Sequence, residues 1–108
     1  MEEKQMSWII LLLAGFFEIA WAIGLKLLDG FEKPFLLIGT LAAVLLSMLL
    51  LSFAMKHIPL GTAYAIWTGI GILGTFLVGV LFFQENISMV KAMSVVLILL
   101  GVAGLKLA

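Results

Sequence analysis

Glu18 is the residue from which chemistry can first be read. It is the one charged side chain within the run SWIILLLAGFFEIAWAIGL, residues 7–25. An acid at the centre of a membrane helix costs roughly 2.5–3.5 kcal/mol on insertion scales. Such a carboxyl is kept where it is used: to bind a cation, to carry a proton, or to do each in turn. A plain polar contact to a Ser or Thr of another helix is the weaker reading. Residues three and four apart share a helix face, which groups Glu18 with Ala14, Gly15, Trp21 and Ala22. Small residues let a second helix approach or leave room for a ligand. Trp21 is placed to wall that space and has an indole N–H to donate.

A second group lies in Gly61-Thr62-Ala63-Tyr64-Ala65-Ile66-Trp67-Thr68-Gly69-Ile70-Gly71. Tyr64 and Trp67 are three apart and share a face. Trp8 reads as an interfacial belt residue, whereas Trp67 falls several residues inside its apolar run. Gly61, Ala65 and Gly69 form one small-residue stripe, and Gly71, Thr75 and Gly79 form another on a different face. The change of face at Gly69-Ile70-Gly71 predicts a bend, since glycines are a recognised cause of helix kinks. A bend beside binding aromatics is a natural hinge. In the preceding segment Gly39, Ala43 and Ser47 are four apart. Ser47 can reach Glu18 across helices or bond back to its own helix; the second is the commoner choice for serine.

These residues need elements to hold them, and the composition says which. The chain has 108 residues, is 65% hydrophobic and only 11% charged, with a mean hydropathy of +1.33. Soluble domains average about 45–50% apolar and about 25% charged. The expectation is an all-α integral membrane protein, a single four-helix domain over residues 1–108. Crossing a core of about 30 Å takes roughly 20 helical residues. Four runs meet this length, at about Ser7–Leu28, Pro34–Met55, Leu60–Phe83 and Ser88–Leu107. Asp29-Gly30 and Glu32-Lys33-Pro34 separate the first two, Lys56-His57-Ile58-Pro59 the next, and Gln84-Glu85-Asn86 the last. Ser88 reads as an N-cap, and Lys91 can snorkel to the headgroups. Short loops make neighbouring helices antiparallel. Lys4 before an apolar run mimics a signal peptide, but Glu18 and three further spans favour a retained helix.

An even number of spans puts both ends of the chain on one face, with Lys4, Lys56 and Lys106. Lys26, Lys33 and Lys91 fall on the other. Lysine and arginine bias sets membrane orientation, and three against three leaves no bias. Insertion in both orientations is therefore expected, although lipid or the insertion machinery can also fix a balanced chain. Two copies inserted oppositely would resemble the inverted repeats of larger transporters, whose sites lie at the midplane. Two facing Glu18 carboxyls would then titrate as a coupled pair. Gly101 and Gly104, with Ala103, give the fourth segment a small-residue surface suited to contact between chains or to lipid.

The pattern resembles the small multidrug resistance family of proton-coupled exporters. The likeness runs from Ser7 onward: four short spans, one acid in the first, and the block from Gly61 to Gly71. Within the family, Phe17-Glu18-Ile19-Ala20-Trp21-Ala22 with Lys26 is similar to the guanidinium-exporter subtype; the drug-exporting subtype usually lacks the Trp one turn after the acid. The resemblance implies an antiparallel, dual-topology homodimer in the bacterial inner membrane. It implies exchange of protons for a small guanidinyl cation at Glu18, with Trp21, Ser47, Tyr64 and Trp67 lining the pocket. Family members often begin at the position of Met6, which makes residues 1–5 a variable tail.

Other classes fare worse. Zero net charge removes the basic surface that nucleic-acid binding needs. There is no cysteine, hence no thiol metal site or disulfide. No metal, cofactor or enzymatic motif is visible, and His57 stands alone beside Lys56. The alternatives kept open are an exporter of hydrophobic quaternary ammonium cations and, from another class, a structural or regulatory membrane subunit that transports nothing.

Overall fold

The computed structural model describes residues 2–28 and 32–108. They form four α-helices: α1 (Glu3–Leu27), α2 (Pro34–Ala54), α3 (Leu60–Phe82) and α4 (Met89–Leu107). All four are long and apolar enough to cross a membrane. The expected turn at Asp29-Gly30 lies outside the described residues.

Helix ends follow local chemistry. α1 starts four residues before the apolar run. Glu3 puts an acid in its first turn, where the helix dipole favours negative charge, and the Ser7 hydroxyl donates to the Glu3 carbonyl (3.0 Å). α2 opens on Pro34, whose missing N–H costs nothing at the first helical position. The Lys33 ammonium reaches back to the Leu27 carbonyl near the end of α1 (3.2 Å). α4 is capped by Ser88, whose hydroxyl accepts from the Lys91 N–H (3.2 Å). After α3 the chain reverses at Gln84 (φ 55°), and the N–H groups of Phe83 and Glu85 both donate to the Gly79 carbonyl (3.2 and 3.0 Å).

α1 packs against α2 and α3, and α4 packs on α3. The buried core lies among the first three helices, around Leu11, Ala14, Leu51, Ala63, Ile66 and Trp67. No residue of α4 is buried. α3 carries α4 closely because Gly69 has no side chain: a Cβ there would overlap the Val102 methyl. The helix runs unbroken through Gly69 and Gly71. Large apolar side chains face outward along every helix, as expected where the solvent is lipid.

Candidate functional site around Glu18

Three helices are tied together one turn before Glu18. The Ala14 carbonyl accepts from the Ser47 hydroxyl (2.7 Å) and from the Trp67 indole N–H (3.2 Å). The same indole N–H also donates to Ser47 Oγ (2.9 Å). All three residues are buried, Ser47 and Ala14 completely. Ala14 precedes Glu18 by four residues, so its carbonyl is the one that the Glu18 backbone N–H reaches in an α-helix. The turn that carries the acid is thereby anchored to α2 and α3.

Ser47 thus takes neither of its two expected partners. It bonds a backbone carbonyl of α1, not the Glu18 carboxyl and not its own helix. The physical reason is Ala14: its small side chain leaves the carbonyl open to a hydroxyl from a neighbouring helix, and a buried hydroxyl must find an acceptor.

From that anchor Glu18 projects onto α3, where the volume a Cβ would fill at Gly71 is occupied by its carboxyl. Glu18 Oε1 is buried without a hydrogen-bond partner among the described residues, and so is Trp21 Nε1 one turn later. The pair consists of an acceptor and a donor on one face of α1. Beyond them lies a cavity of about 120 Å³, with Ala22 and Lys26 on one wall and Thr75, Gly79 and Glu85 on the other. The Thr75 hydroxyl is turned back onto the Gly71 carbonyl (2.7 Å). Glu85, read from sequence only as the end of a span, lies over Gly79 because the chain doubles back at Gln84.

Tyr64 and Trp67 of α3 pack edge to face, with ring centroids 5.2 Å apart and an interplanar angle of 64°. Trp67 is buried, and Tyr64 is 53% exposed. Gly101 and Gly104 face open space: beyond their own stretch of helix, no atom of the described residues lies within 4 Å of the positions their Cβ atoms would take. The structure therefore joins Ser47 and Trp67 on the turn of Glu18 and puts Tyr64 against Trp67. It leaves the glycines of α4 uncovered.

A profile of the Small Multidrug Resistance protein family matches residues 6–98. The chain belongs to that family. It is similar over nearly its whole length to proteins named guanidinium exporter: one from Proteus vulgaris is 50% identical over 103 residues, 95% of this chain and 99% of the relative. One from Salmonella typhimurium strain LT2 is 52% identical over 94% of this chain and 97% of the relative. A third, from Yersinia pseudotuberculosis, is 50% identical over the same shares as the first. These relatives bear the name of an exporter, not of an enzyme. With four apolar helices, this member of the family is a multi-pass protein of the bacterial inner membrane.

Proposed function

We propose that the protein is a proton-coupled antiporter that exports guanidinium or small guanidinyl cations by alternating access within a homodimer. The observation that carries this reading is the Glu18 carboxyl, seated on Gly71 with a buried oxygen that has no hydrogen-bond partner among the described residues. A guanidinium ion is planar, and a carboxylate receives it with two parallel hydrogen bonds. Aromatic faces favour a weakly hydrated cation in a dry site, and Trp21, Tyr64 and Trp67 are the aromatics assigned to that role, with Ser47 beside them. A proton and a cation compete for one carboxylate, so binding of either releases the other. The naming of the relatives supports the choice of cation.

The dimer is antiparallel in this proposal. Equal lysine numbers on the two faces favour insertion both ways. α4, with nothing buried and open ground at Gly101 and Gly104, is the helix offered to the second copy. Gly69 and Gly71 serve as the hinge: one lets α4 approach α3, and the other admits the Glu18 carboxyl. A change of direction between them would move the acid relative to the dimer contact.

The test is uptake of guanidinium into proteoliposomes under an imposed pH gradient, with methylguanidinium and a long-tailed quaternary ammonium ion as competitors. The proposal expects guanidinium uptake that methylguanidinium inhibits and the quaternary ion does not. Glu18→Gln is expected to abolish it. Gradient-driven guanidinium uptake by that variant would overturn the role of Glu18, and dominant inhibition by the quaternary ion would move the assignment to the drug-exporting subtype.

A further inference from the structure

We propose that the cleft between α1 and α4 is a binding site for one anionic phospholipid, with an acyl chain lying along α3 and the phosphate held by Lys4 and Lys106. α1 and α4 both lean on α3, and their backbones stay apart, with no Cα of one within 8 Å of a Cα of the other. The gap between them is a cavity of about 160 Å³, walled by Trp8 and Leu12 on one side and Val102 and Ala103 on the other, with Ile66 and Ile70 as its floor. Lys106 stands at one end.

There the cleft meets a second cavity, of about 230 Å³, which shares Trp8 and Lys106 and adds Lys4, His57 and Thr62. No Asp or Glu side chain lines either cavity, and Ala108, just past α4, also borders the second. The carboxylate of Glu3 is turned to His57 (3.6 Å). The Lys106 ammonium lies 5.3 Å from the centroid of the Trp8 ring, at the junction of the two spaces.

Each helix changes character in the same direction along this path. On α1 the sequence of turns is Leu12, Trp8, Lys4; on α3 it is Ile70, Ile66, Thr62; on α4 it is Val102, Lys106. All are four residues apart, so each set forms one column on its helix face. Three columns that pass together from apolar to polar or basic form an amphipathic groove. That gradient matches a phospholipid, whose acyl chain needs the apolar floor and whose phosphate needs cationic donors. Basic pockets between membrane helices select anionic headgroups in this way. A zwitterionic phosphocholine brings its own cation and gains less from two lysines.

The experiment titrates the purified 108-residue chain in mild detergent with phosphatidylglycerol or with phosphatidylcholine of identical acyl chains. It reads bound lipid by native mass spectrometry and the thermal midpoint in parallel. One phosphatidylglycerol per chain is expected to be retained in preference to phosphatidylcholine. Loss of each lysine should weaken it about fivefold, so Lys4→Gln with Lys106→Gln should bring phosphatidylglycerol down to the phosphatidylcholine level. Lys4→Arg with Lys106→Arg should retain it at the native level, and Lys91→Gln should leave it unchanged. Ala103→Phe fills the cleft without altering charge and should reduce retention of both lipids. Inorganic phosphate, with no acyl chain, should leave the midpoint unmoved. Equal retention of the two lipids would overturn the proposal. So would a midpoint shift by inorganic phosphate alone, retention indifferent to both the lysine and the Ala103 variants, or a crosslink showing a second copy seated in the cleft.

Discussion

The carboxyl of Glu18 and the bare α-carbon of Gly71 share one space: α3 has no side chain at the point where α1 presents its acid. Gly71→Ala therefore displaces the carboxyl and changes little else. Overpacking at a fitted contact costs about 1–3 kcal/mol, which corresponds to roughly tenfold or more in cation affinity if the strain falls on the binding geometry. Guanidinium titration of the purified variant should show that loss, with helical content unchanged by circular dichroism. Unchanged affinity would mean that the position of the carboxyl is not set by Gly71.

The Ala14–Ser47–Trp67 junction predicts a coupled pair of substitutions. Ser47→Ala removes a bond to the Ala14 carbonyl and one of the two acceptors of the Trp67 indole. The indole keeps its contact to Ala14, so the expected loss is about 1 kcal/mol. Trp67→Phe removes the donor and packing volume and should cost more. In a double-mutant cycle read by thermal unfolding in detergent, the two should deviate from additivity by about 0.5 kcal/mol or more, because they share partners. Simple additivity would show that the junction is not an energetic unit.

Gln84 is a non-glycine residue in the left-handed region, which costs a residue with a side chain of order 1 kcal/mol or more. Gln84→Gly relieves that cost while both bonds to the Gly79 carbonyl are kept. The thermal midpoint should rise. A lower midpoint would mean that the glutamine side chain stabilises the reversal by more than its backbone strain.

Much of this architecture is legible in the sequence, and particular residues show where legibility stops. Long uncharged runs and the signals at Pro34, Pro59 and Ser88 mark three of the helices to within about a residue, because charge is costly inside a span and proline and serine favour helix starts. The start of α1 at Glu3 is not legible in the same way, since hydropathy reports the membrane and not the helix, and this helix continues past its apolar run. The Gly71–Thr75–Gly79 stripe does announce a face that something approaches. That one end receives Glu18 and the other Glu85 depends on how α1 docks and on the reversal at Gln84. The partner of Ser47 is a backbone carbonyl, which every residue possesses and no residue type signals. The open face of α4 is legible as Gly101 and Gly104, but small residues serve contact with a helix and with lipid alike, so no residue type there says what covers it.

In the proposed exchange one carboxyl holds either a proton or a guanidinium ion. Adding guanidinium to the purified protein in weakly buffered detergent solution while following the pH tests this. Proton release is expected to saturate with guanidinium occupancy in the native chain and to be absent in Glu18→Gln. Guanidinium binding without proton release, or equal release from the variant, would contradict it.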